Sequence, residues 1–257
     1  MPEAEHKPPS MSAEEWDARV ELAACYRLTD LYGWSDLTAT HISVRVPGEE
    51  ERFLLNPFGM MFDEITASSL IKVDMEGNVV EAAEFGMNNA GFVIHSAIHR
   101  SSADLVCVMH THTVANVAIS MQQDGLLPEN LHALIVYGDV AYHEFEGPAT
   151  RIDERERIVS SLGDKRILVL RNHGMMTVGR TIGEAFLAMY HVEMACRIQL
   201  AFQSSGARLS PVPQHVKDYT IDRSRKAFWS GGIHDPDARD WPALLRKLDR
   251  HDPSYRS

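Results

Sequence analysis

The chain has 257 residues, 44% hydrophobic and 24% charged, an ordinary globular composition with enough apolar side chains for a sizeable core. Its 25 basic and 36 acidic residues leave a net charge of −11, the wrong sign for unspecific binding to nucleic acid or to an anionic membrane surface. No apolar run approaches the roughly eighteen residues that a membrane span needs, and the polar, proline-containing start carries no apolar signal core.

Residues 1–11 read as a disordered lead-in. Ser12 with Glu15 is a capping-box pattern that opens a helix to about Leu31, ending near Gly33. Ile42–Val46 and Arg52–Leu55 are expected as two strands joined through Pro47-Gly48, and Asn56-Pro57-Phe58-Gly59 as a turn. Leu70–Val73 and Val79-Val80 flank a further hairpin signal, and Asn88 or Asn89 caps a helix to about His99. The central strand follows, Leu105-Val106-Cys107-Val108-Met109, and runs straight into His110-Thr111-His112. Val114–Met121 is expected as a short helix, Leu134–Tyr137 and Val140–Tyr142 as short strands, and Asp153–Leu162 as a helix. Arg166–Leu170 is a second apolar strand leading into Arg171-Asn172-His173-Gly174, where the glycine can take a positive φ; Met176–Val178 is its expected hairpin partner. Thr181 and Glu184 form a second capping pattern that opens a long helix to about Ser204. Residues 12–205 therefore read as one α/β layered domain, with 206–257 as an extension that packs on the domain or on a neighbouring subunit through Trp229 and Trp241. Cys25, Cys107 and Cys196 lack motif spacing and read as reduced, buried thiols of a cytoplasmic protein.

Alternation along a strand sends His110 and His112 to the same side, their Cα atoms about 6.5–7 Å apart. With His173 at a similar strand end, three imidazoles become available for a facial metal site with open positions. Two polar residues hydrogen-bonded at a strand end are the plainer alternative. His95 and His99, spaced i, i+4, could also clasp a metal, but Ser96 stands where a zinc protease helix needs glutamate, so packing against the sheet is the simpler role. No nucleophile elbow, phosphate-binding lysine loop, Cys-x-x-Cys or dinucleotide glycine motif competes with the histidines.

Thr40-His41-Ile42-Ser43-Val44-Arg45, Asn56-Pro57-Phe58-Gly59, Ile65–Leu70, Ala90–His95, Met109–Thr113, Tyr142–Gly147 and Arg171-Asn172-His173-Gly174 together resemble the class II aldolase/adducin family over about residues 15–205. The likeness is closer to adducin head domains and their bacterial relatives than to the sugar-phosphate aldolases. It implies a three-layer α/β/α fold around a mixed central β-sheet. It also implies a divalent metal on His110, His112 and His173, most often Zn2+, with Mn2+ or Fe2+ as alternatives. Substrate-binding positions would be His41, Gly59 and Asn89, and His132 would be an acid/base group reaching a neighbour's site in a homo-oligomer, a tetramer in the aldolases. The implied chemistry is retro-aldol cleavage or decarboxylation of a small hydroxy-carbonyl or hydroxy-carboxylate compound, through an enediolate that the metal stabilises. Two departures bear on this. Gly91 stands where those aldolases carry a catalytic glutamate, leaving Glu81 and Glu84 to reach the site only if their loop folds back. His41 replaces their phosphate-binding asparagine. A non-enzymatic oligomerisation or binding module, like the adducin heads, is the alternative expectation.

Overall fold

In the computed structural model, which describes residues 11–81, 85–148, 151–229 and 231–257, the first helix begins where its cap dictates. The Ser12 hydroxyl accepts the Glu15 N–H, α1 runs over Ala13–Leu31, and Gly33 turns the chain away with a φ of 69°. The remaining helices are α2 (Asn89–Ser101), α3 (Val114–Ser120), α4 (Leu131–Val136), α5 (Glu154–Leu162), α6 (Ile182–Ser205), α7 (Gln214–Ala227) and α8 (Asp240–His251). The strands are β1 (His41–Arg45), β2 (Arg52–Leu55), β3 (Ile71–Asp74), β4 (Cys107–Thr111), β5 (Val140–His143), β6 (Ile167–Leu170) and β7 (Gly174–Gly179). They form one mixed sheet in the order β3-β2-β1-β4-β7-β6-β5, parallel between β5 and β6 and antiparallel elsewhere.

Period-two alternation divides the core between the two faces. Ile42, Val44, Cys107, Met109, Ile167, Val169 and Met175 join the cluster that α1, α3, α4 and α6 cover. Val108, Leu168, Leu170, Met176 and Val178 pack instead against Ile94 and Ile98 of α2 and Ile158 and Leu162 of α5. The result is the expected three-layer α/β/α architecture. His41, Ser43 and His110 fall on the α2 face by the same alternation, and β1 lies against β4 with His41 opposite His110.

Tyr26 of α1 ties this arrangement together from the other face. Its buried hydroxyl accepts the Ile42 N–H at 2.7 Å and hydrogen-bonds to the Ile42 carbonyl and to Asn56 Oδ1, joining β1 to the turn after β2. Leu134–Tyr137, expected as a strand, is instead the second half of α4 and the start of a 3-10 turn (Tyr137–Asp139). A four-residue apolar run has no period to distinguish the two states. The Asn130 side chain decides it by accepting the Ala133 N–H, and α4 then packs on α6.

The C-terminal helices close onto the chain's own domain. Trp241 lies 5.7 Å from the Phe186 ring of α6, and the Arg166 guanidinium stacks 4.0 Å over Trp229. The Ala67 and Ser68 N–H groups donate to the Tyr255 and Ser257 carbonyls, so the last residues cover the turn before β3. Among the described residues no helix is long and apolar enough to cross a membrane.

Replacing Tyr26 by Phe leaves the buried Ile42 N–H without its partner. A loss of roughly 1–3 kcal/mol in urea unfolding, with an unchanged m-value, is the expected result. Wild-type stability in Tyr26→Phe would show that the hydroxyl does not hold β1 in place.

Candidate metal centre

β4 delivers His110 at its penultimate position and His112 one residue past its end, while the β6–β7 turn delivers His173. That turn is made by Asn172, which takes the left-handed conformation (φ 56°) expected of Gly174. Gly174 serves another purpose: a Cβ there would lie 2.5 Å from the Thr111 carbonyl oxygen and 3.0 Å from His112 Cδ2. The glycine lets β7 approach close enough for His173 to join the pair. The three rings have centroids 4.5, 4.9 and 4.8 Å apart, and one ring nitrogen from each falls within 4.8 Å of the others.

The chemistry of this donor set fits a divalent cation. His110 Nδ1 lies 2.9 Å from the Met175 carbonyl oxygen, and His112 Nδ1 lies 3.2 Å from Asp36 Oδ2. Both partners are acceptors, so each ring places its proton on Nδ1 and leaves Nε2 bare. Those two bare nitrogens stand 2.7 Å apart, lone pair toward lone pair, and a cation between them relieves the repulsion. A proton serves there only if one ring becomes an imidazolium, and His112, beside the Asp36 carboxylate, is the one ring of the three with a counter-ion for that charge among the described residues. Burial first, then neighbouring His112, His173 and His41, hold His110 well below the ordinary histidine range. Burial, then His112, likewise lowers His173 to about 4. Carbonyl or carboxylate contacts on the far nitrogen are also what orient metal-binding imidazoles.

Beside the triad lies a second set of imidazoles. The His41 ring centroid is 5.1 Å from that of His110. His41 Nδ1 is 2.7 Å from His95 Nε2, His95 Nδ1 hydrogen-bonds to Ser43 Oγ, Ser43 Oγ is 2.8 Å from His99 Nε2, and His99 Nδ1 is 3.2 Å from the Leu105 carbonyl oxygen. His95 and His99 are thus held by sheet residues, outside the triad. Gly91 makes room for this: a Cβ at position 91 would fall 2.7–3.1 Å from three atoms of the His41 ring.

The other expected positions are dispersed. Gly59 (φ 106°) sits in an exposed turn against Phe85, and Phe58 N–H donates to the Gly86 carbonyl, which brings that turn alongside the segment leading to Asn89, the exposed first residue of α2. His132, half-buried on α4, hydrogen-bonds to His191 (Nδ1 to Nδ1, 3.1 Å) and packs on Tyr190; it does not meet the triad of its own chain. Glu81 is spent on Arg19, at 2.7 and 2.8 Å, and so is not turned toward the histidines; Glu84 lies outside the described residues. Sequence reasoning missed Asp36 and Ser43, because each meets its histidine across a long stretch of chain.

The buried rings carry a pH signature. Burial, then the charge of Arg45, lowers His99 from 6.5 to about 3, and burial, then His112 and His173, lowers His41 to about 3. Folded values below the unfolded value mean that the unfolded chain takes up protons the folded chain refuses. This stability contribution is therefore complete above about pH 6.5 and is lost as pH falls toward 3. The urea midpoint of EDTA-treated protein is expected to drop steadily between pH 6.5 and 4, less steeply in His99→Gln. A midpoint constant over that interval would contradict the neutral buried rings.

The sequence profile described as "Class II Aldolase and Adducin N-terminal domain" matches residues 20–200. The crystal structure of an aldolase II superfamily protein from Pseudomonas syringae superposes with a TM-score of 0.91 at 46% identity, covering 96% of this chain and 98% of that one. The L-fuculose 1-phosphate aldolase from Glaciozyma antarctica PI12 superposes with a TM-score of 0.81 at 28% identity, covering 98% and 97% of the two chains. Mouse alpha-adducin is 46% identical over 193 residues, which are 73% of this chain and 26% of adducin's length. The profile spans most of the sequence and the histidine-bearing strand ends lie within it, so the chain belongs to the family of class II aldolases and adducin N-terminal domains.

Proposed function

We propose that this protein is a lyase of the class II aldolase type, dependent on a divalent cation held by His110, His112 and His173, with zinc the best match to an all-imidazole set and manganese or iron as alternatives. The observation that carries this reading is the pair of bare Nε2 atoms of His110 and His112, 2.7 Å apart with His173 beside them. The cation, when bound, supplies a Lewis acid that polarises a carbonyl and stabilises the negative charge left as a carbon–carbon bond breaks. The substrate is a small hydroxy-carbonyl or hydroxy-carboxylate compound, cleaved by retro-aldol reaction or decarboxylation. His41, Gly59 and Asn89 contribute to its binding. The buried surroundings of His110 and His41 exclude water and so strengthen every polar contact made there.

A homo-oligomer, a tetramer by family likeness, supports the part assigned to His132. Leu131 and Val114, each adjacent or nearly adjacent in sequence to a site histidine, are 65% and 87% exposed and offer apolar area to a second subunit. In that assembly His132 reaches the partner subunit's site as the proton-handling group. A cytoplasmic location agrees with the three free, buried cysteines. A second reading, a non-enzymatic binding module like the adducin heads, is favoured by Gly91 and by the likeness to alpha-adducin.

Elemental analysis of purified wild type beside His112→Ala separates the two. Near-stoichiometric zinc, manganese or iron, lost in the variant, is the expected outcome, followed by turnover in a screen of aldols and hydroxy acids. Absence of metal from both proteins, even after incubation with zinc, would overturn the lyase reading and leave the binding module in its place.

A further inference from the structure

The hydrogen-bonded row between β1 and α2 has a direction, and one backbone carbonyl sets it. His99 Nδ1 faces the Leu105 carbonyl oxygen at 3.2 Å, and a carbonyl only accepts, so Nδ1 carries the proton. His99 is buried beside the Arg45 guanidinium and is neutral, which leaves its Nε2 as an acceptor. The Ser43 hydroxyl, 2.8 Å away, spends its single proton there and must accept from its other neighbour, His95 Nδ1. His95 has no exposed surface and is uncharged, so its Nε2 is bare and accepts from His41 Nδ1 at 2.7 Å. His41 is therefore the Nδ1–H tautomer, with Nε2 unprotonated. The reverse direction would set the bare Nδ1 of His99 against a carbonyl with no proton between them. A charged ring could also reverse it, but among the described residues none of the three imidazoles bonds to a carboxylate that would stabilise the charge.

Among the described residues no group hydrogen-bonds to His41 Nε2. The ring adjoins His110 and fills the volume that any side chain at position 91 would need. We propose that the Leu105 carbonyl, acting through His99, Ser43 and His95, fixes the tautomer of His41, so that His41 presents a bare Nε2 to the site and reads a hydroxyl group on the substrate. A phosphate or carboxylate oxygen placed there would meet a lone pair instead of a donor. The substrate of this site therefore places a free hydroxyl, and not a phosphate, against His41. His41 is the group that touches substrate; Ser43, His95 and His99 are positioning residues. The tautomer follows from the hydrogen-bond row alone, whereas the substrate assignment rests on the lyase reading.

Nitrogen-15 NMR of histidine-labelled protein near pH 7, EDTA-treated and zinc-loaded alike, reads the tautomer directly, with His41 assigned by the signals lost in His41→Gln. The expected result is a single Nδ1–H tautomer at His41, His95 and His99. In Ser43→Ala the His41 and His95 signals are expected to report mixed tautomers, and Ser43→Thr, which keeps the hydroxyl, restores one. A wild-type His41 protonated on Nε2, or a Ser43→Ala spectrum identical to wild type, overturns the proposal; the wild-type spectrum decides alone if the alanine variant does not fold. For the substrate, calorimetric titration of zinc-loaded protein compares glycolohydroxamate with its phosphate ester. Binding at least about tenfold tighter without the phosphate is expected, and equal or tighter binding of the ester overturns the substrate assignment. A chain that takes up no zinc removes the lyase reading and leaves the tautomer result standing, so the two failures are separable.

Discussion

A buried, uncharged imidazole has one proton and one lone pair to place, and the centre of this molecule is governed by that constraint. Three acceptors at its edge make the choices: the Met175 carbonyl for His110, the Asp36 carboxylate for His112 and the Leu105 carbonyl for His99. None of them can donate. Each draws a proton outward, and the lone pairs consequently turn inward, two of them toward each other at the triad. A strand carbonyl, a carbonyl just before β4 and one carboxylate thus determine which nitrogen of each ring carries the proton. The apolar packing of Val108, Ile94 and Ile98 on the same face keeps the rings neutral, because an imidazolium there has no water to solvate it.

The sheet order explains why this happens at one place. β1, β4 and β7 are consecutive neighbours, so residues far apart in sequence come within a strand spacing of one another. His41 opposite His110 and Met176 opposite His110 on the other side are consequences of register. A slip of one residue in β1 would send His41 and Ser43 to the α1 face and bring Ile42 into the site. Tyr26 guards that register from beneath, through both polar groups of the Ile42 backbone. On the opposing helix, His95 and His99 lie one turn apart on the face toward the sheet, and Gly91 lies one turn before them. The same helical spacing that aligns the two histidines with Ser43 therefore aligns the glycine with His41.

Local patterns in the sequence carried most of the architecture. The apolar runs before His110 and before His173 are strands because they alternate into two different cores. The Ser12 and Thr181 hydroxyls cap their helices, while the Glu15 and Glu184 carboxylates turn to Arg19 and Lys72 and to the Arg180 N–H instead of closing the boxes. Leu134–Tyr137 failed because four apolar residues have no period, and Asn130, three residues upstream of the bond it makes, determined the state. At the site, the triad was legible because each member ends a strand. The His95 and His99 pair was visible as a spacing, but its meaning depends on Ser43, which meets it only across the β1–α2 packing. Asp36 sits in a loop with no motif around it. The close approach that needs Gly174, and the left-handed turn carried by Asn172 instead, are facts of three-dimensional crowding that a one-dimensional glycine pattern cannot assign.

Gly91 poses the hardest question for an enzyme reading, and packing bears on it. A chain that had merely lost a side chain at this position would be left with a void, at a cost that grows with the volume emptied. Here the void does not exist, since the His41 ring occupies the space. An aliphatic side chain on β1 would fill it as well, on a face already lined by Val108, Ile94 and Ile98, with less polar surface to desolvate. The imidazole instead requires a second histidine, a serine and a third histidine behind it before every polar side-chain atom of the row except His41 Nε2 has a partner. Replacing such a set by apolar groups of similar shape is close to neutral for stability. Stability alone therefore gives no reason to maintain a row whose product is one unprotonated nitrogen beside three clustered imidazoles, and the reason is better sought in what that nitrogen contacts.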